Sequence, residues 1–154
     1  PEFAQHFLRR AGEVMADLTE IYEDVPDTLS VLRREGIHLA IVSGKYRSRI
    51  EAILLREGLD GAFSTIVAGD DVEEQKPDPT GLLAAIEYLG GKPASVLYVG
   101  DSIVDAETAR RAGVPFIATL TGTTAQDEFS EYSVTAFIDH LGQLPSAISD
   151  RSSV

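Results

Sequence analysis

Three short sequences carry side chains that can bind a phosphate group and a divalent cation. They are Ser43-Gly44, the Lys76 of a Lys-Pro-Asp-Pro sequence, and Asp101 with Asp105 four residues later. A hydroxyl group and backbone N–H groups donate hydrogen bonds to phosphate oxygens, and a lysine neutralises phosphate as a compact charge. Mg²⁺ is a hard cation that prefers carboxylate, phosphate and water oxygens. Together these residue types favour a site for Mg²⁺ and a phosphate group.

Each of these sequences also has a purely structural interpretation. Ser43-Gly44 can be a turn between a strand and a helix, and no Gly-x-Ser-x-Gly sequence indicates a serine nucleophile. Lys76 can be an exposed residue ahead of a helix. Asp101 or Ser102 can simply cap the helix that follows, because both residue types are favoured there. Taken singly, none of the three sequences identifies a site.

Apolar periodicity predicts helices that alternate with short apolar strands. The predicted helices cover 4–23, 25–35, 46–57, 80–89, 103–112 and 139–148, the last with Pro145 as a potential break. The predicted strands cover 37–42, 65–68, 95–99, 116–118 and 136–138. Alternating strands and helices indicate an α/β fold with a mostly parallel sheet and helices on both faces.

The predicted topology brings the three sequences together. Ser43, Lys76 and Asp101 each follow a predicted strand or lie in the loop after one. In open parallel sheets, ligands bind just beyond the carboxyl ends of the strands. We therefore expect the three side chains to converge at the carboxyl edge of the sheet.

Composition excludes several classes of function. The net charge of −12 and the scattered basic residues argue against binding to nucleic acid or to anionic membranes. The chain has no cysteine, and its three histidines, His6, His38 and His140, show no ligand spacing, so a zinc site is not expected. Without a leader sequence or a long apolar run, we expect a cytoplasmic protein.

In order and spacing, the three sequences resemble the second, third and fourth motifs of the haloacid dehalogenase superfamily. The acidic fourth motif is typical of its phosphatase branch, and phosphoglycolate phosphatases are the most similar group. The resemblance implies that Ser43 and Gly44 bind the phosphoryl group and that Lys76 stabilises the nucleophile and the phosphate. It also implies that Asp101 and Asp105 hold Mg²⁺ and that the substrate is a small phosphorylated metabolite.

The first motif of this superfamily, Asp-x-Asp-Gly-Thr, is absent from the sequence. It would supply the nucleophile and the general acid/base on a central strand, between the strands predicted at 37–43 and 95–99. We therefore expect a three-layer Rossmann-like core at 24–150 that lacks its central first strand. Residues 1–23 would comprise a short linker and the last helix of a mostly missing helical cap. The chain would then be a piece of a longer protein or, as a second explanation, a degenerate member.

A missing central strand has consequences for both function and folding. The chain alone is expected to have no phosphatase turnover, and the alternative function is a non-catalytic phosphate-binding or protein-interaction module. Buried backbone groups without partners cost roughly 1–3 kcal/mol each. We therefore expect the two flanking strands to pair directly, or a strand from another chain, including a second copy, to fill the gap. The edge amides are predicted at Leu39, Ile41, Leu97 and Val99.

Overall fold

The computed structural model describes residues 20–151, and within them helices alternate with short strands. The helices are α1 (Val25–Arg34), α2 (Arg47–Arg56), α3 (Thr80–Tyr88), α4 (Ile103–Ala112) and α5 (Leu144–Arg151). The strands are β1 (Ala40–Val42), β2 (Thr65–Val67), β3 (Tyr98–Gly100), β4 (Phe116–Thr119) and β5 (Val134–Ile138). The predicted alternation is confirmed, although each strand differs from its predicted bounds by one to three residues at one end or at both. No helix in this part of the chain is both long and apolar enough to cross a membrane.

Two predicted helices differ from the structure at their ends. The helix predicted at 4–23 lies mostly outside the described residues, as does His6, and residues 20–23 are not helical. The last helix begins at Leu144 rather than near residue 139, so Pro145 starts it instead of breaking it. Proline suits the first turn of a helix, where its missing N–H would have no partner in the helix anyway.

The strands form a core with helices on both faces. All observed strand pairs are parallel, as predicted. Phe116 and Ala118 pack with α3 and α4 on one face, whereas Ile117 between them packs with Leu32 of α1 and Leu144 of α5 on the other. Successive side chains of a strand point to opposite faces of its sheet. This arrangement confirms a three-layer α/β fold.

The strands form two separate sheets with a cleft between them. One sheet has the order β1-β2 and the other β3-β4-β5, so β1 and β3 are not paired. A cleft of about 890 Å³ lies between them and is lined by both strands and by side chains of α1, α3 and α5. The expected direct pairing of the flanking strands is therefore wrong for this chain. Filling of the cleft by another chain stays a prediction.

The hydrogen bonds of β1 show which of its backbone groups face the cleft. The Ser43 N–H donates to the end of β2 at 2.9 Å, and the Leu39 carbonyl accepts from the residue before β2 at 2.7 Å. Backbone groups of alternate residues point to the same side of a strand in a parallel ladder. Ile41 therefore also points to β2, and the groups of Ala40 and Val42 face the cleft. The predicted edge amides of Leu39 and Ile41 were wrong by one residue.

On β3 the prediction of the edge is confirmed. The Tyr98 N–H donates to the Pro115 carbonyl at 2.9 Å and so points to β4. By the same alternation, the backbone groups of Leu97 and Val99 face the cleft. Each of the two strands therefore presents one edge to the cleft.

Candidate functional site

Lys76 and Asp105 form an ion pair at the carboxyl end of β3. The Lys76 Nζ lies 2.6 Å from Oδ1 of Asp105. The Tyr98 hydroxyl donates to the same oxygen at 3.2 Å and lies 3.3 Å from the Lys76 ammonium. Asp105 is only 6% exposed, so this is a largely buried charge pair. The loop carrying Lys76 therefore reaches the same edge of the core as the fourth motif.

The second oxygen of Asp105 is also fully engaged. The Ser102 hydroxyl donates to Oδ2 at 2.8 Å, and the Asp101 N–H donates to it at 3.2 Å. The Ser102 hydroxyl in turn accepts from the Asp105 N–H and caps α4. Ser102 is thus the capping residue, and Asp101 is not used for that purpose. Asp105 holds the strand end, the cap and Lys76 together.

The surroundings of Asp105 control the pKa of two groups. Burial alone would raise the pKa of Asp105, but hydrogen bonds and charge from Lys76, with hydrogen bonds from Ser102 and Tyr98, hold it below its ordinary value. Burial, followed by the charge of Asp105, raises the pKa of the Tyr98 hydroxyl. At neutral pH, Asp105 is therefore ionised and Tyr98 is a hydrogen-bond donor.

Asp101 differs from Asp105 because its carboxylate is exposed. None of the hydrogen bonds among residues 20–151 uses this carboxylate, which leaves both oxygens for a ligand. Mg²⁺ sites commonly combine one or two carboxylates with water and substrate phosphate. Asp101 and Asp105 fit that donor set, although the described residues contain no cluster of three acidic, histidine or cysteine side chains that could hold a metal ion. Asp101 is the better placed of the two, because Asp105 is already paired with Lys76.

The Ser43-Gly44 loop lies beside the loop that carries Lys76. The Ser43 Oγ accepts from the Lys45 N–H at 3.1 Å. The Gln75 side chain donates to the Gly69 carbonyl, and its Oε1 would lie 3.5 Å from a Cβ added at Gly44. Gln75 directly precedes Lys76, so its side chain brings the Lys76 loop close to Gly44. No sequence pattern indicates a role for Gln75, because it is an isolated glutamine in a polar loop.

A close backbone approach fixes the Ser43-Gly44 loop against the turn after β2. The Gly69 N–H donates to the Lys45 carbonyl at 2.9 Å, and a Cβ added at Gly69 would lie 2.3 Å from the Gly44 carbonyl oxygen. No side chain fits there without movement of the backbone. Gly69 therefore sets the distance between the two loops.

We expect Gly69→Ala to lower the free energy of unfolding by about 2 kcal/mol, because the added methyl group must displace buried backbone. Gly61→Ala is the matched control, since nothing lies within 4 Å of its added Cβ. That control should change stability by less than about 0.5 kcal/mol. Urea unfolding of both variants measures the difference. Equal stability of the two variants would show that the loops separate without cost.

The acidic pair after β2 has a structural role. Asp70 accepts from the Arg47 N–H at 2.8 Å at the start of α2, and Asp71 pairs with the Arg47 guanidinium. A hydrogen bond from Arg47, and then one from the Ala68 N–H, lower the pKa of Asp71. Arg47 also donates to the Ile66 carbonyl at 2.6 Å and so covers the outer edge of β2. Asp70 and Asp71 therefore connect the start of α2 to the end of β2.

Comparisons of this sequence with known proteins all indicate the same family. The sequence profile of haloacid dehalogenase-like hydrolases matches residues 2–119. Phosphoglycolate phosphatase 1 of Pseudomonas aeruginosa is 36% identical over 127 residues, which are 82% of this chain and 47% of that protein. The chain thus spans about half the length of the curated relatives it matches.

Solved structures agree with the sequence comparison. A haloacid dehalogenase-like hydrolase from Bacteroides fragilis has a TM-score of 0.86 and 43% identity, over 93% of this chain and 68% of that one. A mutant of CbbY from Rhodobacter sphaeroides, in complex with xylulose-(1,5)bisphosphate, has a TM-score of 0.75 and 26% identity, over 86% of this chain and 60% of that one. The chain belongs to the haloacid dehalogenase-like hydrolase family.

Proposed function

We propose that the whole protein is a Mg²⁺-dependent phosphatase that hydrolyses a small phosphomonoester. The observation that carries this proposal is the cluster of Lys76, Asp105 and Asp101 at the carboxyl end of β3. The cluster combines a buried lysine–carboxylate pair with the Asp101 carboxylate, which accepts no hydrogen bond from the described residues. Such a cluster suits a dianionic phosphate group with a divalent cation.

Each residue of the cluster has a distinct task in this reaction. Ser43 and the N–H groups beside Gly44 position the phosphoryl oxygens, and Lys76 neutralises the charge that develops on them. Asp105 fixes the position of the Lys76 ammonium. Asp101, with Asp105 beside it, would hold Mg²⁺, which polarises the phosphoryl group when bound.

The cleft between β1 and β3 is the proposed place of the nucleophile. It opens between the two strands whose carboxyl ends lead to Ser43 and Asp101. A strand ending in Asp-x-Asp-Gly-Thr and inserted there would bring its first aspartate to these residues. That carboxylate attacks phosphorus to form an aspartyl-phosphate, and the second aspartate protonates the leaving oxygen and then activates water.

The comparisons support a small phosphorylated substrate. A phosphoglycolate phosphatase is among the relatives, and CbbY binds a sugar bisphosphate. Phosphoglycolate and xylulose-(1,5)bisphosphate are both compact phosphorylated metabolites. The net charge of −12 fits a small substrate better than a nucleic acid, whose many phosphates it would repel.

The test is release of inorganic phosphate from phosphoglycolate and from a chromogenic ester in the presence of Mg²⁺. We expect no turnover from the chain alone. Turnover should follow addition of a peptide of about five apolar residues that ends in Asp-x-Asp-Gly-Thr, and Asp101→Asn should abolish it. Turnover by the chain alone that Asp101→Asn removes would contradict the expected inactivity. A bound peptide that gives no turnover would contradict the phosphatase.

The cleft also favours a second candidate, a non-catalytic module that binds an extended segment of another chain or of a second copy. This function needs the edges of β1 and β3 but not Lys76 or Asp101. The same peptide distinguishes the two functions, because a module binds it without phosphate release. A concentration-dependent dimer without peptide, seen by light scattering, would identify a second copy as the occupant.

A further inference from the structure

We propose that the loop after β4, residues 120–122, positions the Asp101 carboxylate for its cation. This segment is the β4 loop; it contains Gly122, and Tyr22 anchors it from outside. The proposal rests on the proposed function only for the identity of the cation. The orientation of Asp101 is a property of this chain without any ligand.

Gly122 lies directly against the Asp101 side chain. A Cβ added at Gly122 would lie 2.5 Å from Oδ2 of Asp101 and 2.9 Å from its Cβ and Cγ. Any other residue at this position would therefore have to move either the loop or the carboxylate. The Asp101 carboxylate has no hydrogen bond within residues 20–151, and the Gly122 backbone lies where it can limit the rotation of that carboxylate.

The β4 loop is itself anchored on two sides. The Leu120 N–H donates to the Ile138 carbonyl of β5 at 2.8 Å. The Tyr22 hydroxyl donates to the Thr121 carbonyl at 3.0 Å, which joins the loop to a residue 99 positions earlier in the sequence. The Thr121 hydroxyl also lies 3.1 Å from that of Thr119. A loop held in this way cannot easily retreat from the Asp101 side chain.

A fixed carboxylate binds a cation more tightly than a rotating one. An exposed aspartate loses side-chain freedom when it binds an ion, and prior restriction reduces that loss. Groups that orient a metal ligand commonly change metal affinity by about 10- to 100-fold when they are altered. The β4 loop would supply this orientation through contact rather than through a hydrogen bond.

The experiment compares Gly122→Ala with Gly61→Ala in the full chain, using Mg²⁺ alone as the probe. Nothing lies within 4 Å of a Cβ added at Gly61, so it controls for the glycine-to-alanine change itself. We expect Gly122→Ala to weaken Mg²⁺ binding by about tenfold, as followed by NMR shifts of the Asp101 and Asp105 amides. Gly61→Ala should retain the affinity of the unaltered chain. Side-chain couplings of Asp101, measured without metal, should report the rotamer of the unaltered chain in the control and a changed rotamer population in Gly122→Ala.

Two results would overturn the proposal. One is an unchanged Asp101 rotamer in Gly122→Ala, which decides the matter even if the unaltered chain binds no Mg²⁺. If the unaltered chain binds no Mg²⁺, that result counts against the proposed function rather than against the role of the β4 loop. The other is equal Mg²⁺ affinity in Gly122→Ala and Gly61→Ala. If Gly122→Ala does not fold, Tyr22→Phe removes only the hydroxyl and should weaken binding by about threefold, and an unchanged affinity and rotamer would contradict the anchoring role.

Discussion

Replacement of Lys76 by methionine should lower the free energy of unfolding by about 3 kcal/mol, because it leaves the Asp105 carboxylate buried without its cation. The Lys76 Nζ lies 2.6 Å from that carboxylate, which is only 6% exposed. The loss stays at the lower end of the range for such pairs because Ser102, Tyr98 and the Asp101 N–H still donate to Asp105. Urea unfolding at neutral pH measures it.

The loss of stability in Lys76→Met should depend on pH, because it depends on whether the Asp105 carboxyl is ionised. In the unaltered chain this pKa lies below its ordinary value, so the stabilisation is present above about pH 4 and is lost as the pH falls through the lowered pKa. Without Lys76, we expect burial to outweigh the remaining hydrogen bonds and to raise the pKa of Asp105. The variant then gains stability relative to the unaltered chain as the pH falls. The deficit should be largest at pH 7 and should shrink toward about pH 4.

Lys92→Met is the matched control for this prediction. Lys92 is exposed, and only its backbone makes the hydrogen bonds observed for it. Its replacement should change stability by less than about 0.5 kcal/mol and should show no particular dependence on pH. If Lys76→Met matched this control, or if its deficit were the same at pH 7 and pH 4, the buried ion pair would not stabilise the core.

Local patterns explain what the sequence predicted correctly. The helix predicted at 25–35 ends before Gly36, whose φ of +77° is a conformation that glycine adopts without a Cβ penalty. Lys76 and Asp101 were placed at one edge by the rule that ligands bind at the carboxyl ends of parallel strands. Both inferences need only nearby residues or the order of the elements. They required no knowledge of which atoms touch.

Contacts between distant segments explain what the sequence did not predict. Tyr98 lies in an apolar strand of the sequence, and the hydroxyl near the end of that strand is the signal that it reaches the site. Asp105 was assigned to Mg²⁺, and its pairing with Lys76, 29 residues away, depends on where two loops meet. Gly122 belongs to none of the sequence motifs, so no sequence pattern indicates its contact with Asp101. The shift of the β1 edge from Ile41 to Val42 depends on the register with β2, which the apolar pattern does not define.

The error about the two sheets has a physical cause. Direct pairing is expected only if the facing edges of β1 and β3 are buried, because every unpaired backbone group is then costly. In the structure the residues of β1 are only partly buried, and an open cleft lies beside them. Water can hydrogen-bond backbone groups in such a cleft, and this removes most of the expected cost. The edges remain able to pair with an added strand.

An apolar peptide should therefore enter the cleft and pair with both strands. The peptide has about five apolar residues followed by Asp-Ala-Asp-Gly-Thr, and the cleft is lined by apolar side chains of α1, α3 and α5. A peptide concentration one hundred times its dissociation constant should stabilise the chain by about 2.7 kcal/mol. Hydrogen exchange should slow at the amides that face the cleft, which are those of Ala40, Val42, Leu97 and Val99.

The pattern of protection separates strand pairing from general apolar binding. A peptide with proline at the third strand position cannot donate to a neighbouring strand there and should bind much more weakly. Amides that already pair, such as those of Ser43 and Tyr98, should change less than their neighbours that face the cleft. Equal binding of the two peptides, or equal protection of alternate amides, would show that the cleft takes up apolar groups without forming a sheet. The cleft would then not be the place of a missing strand, and the proposed position of the nucleophile would be wrong with it.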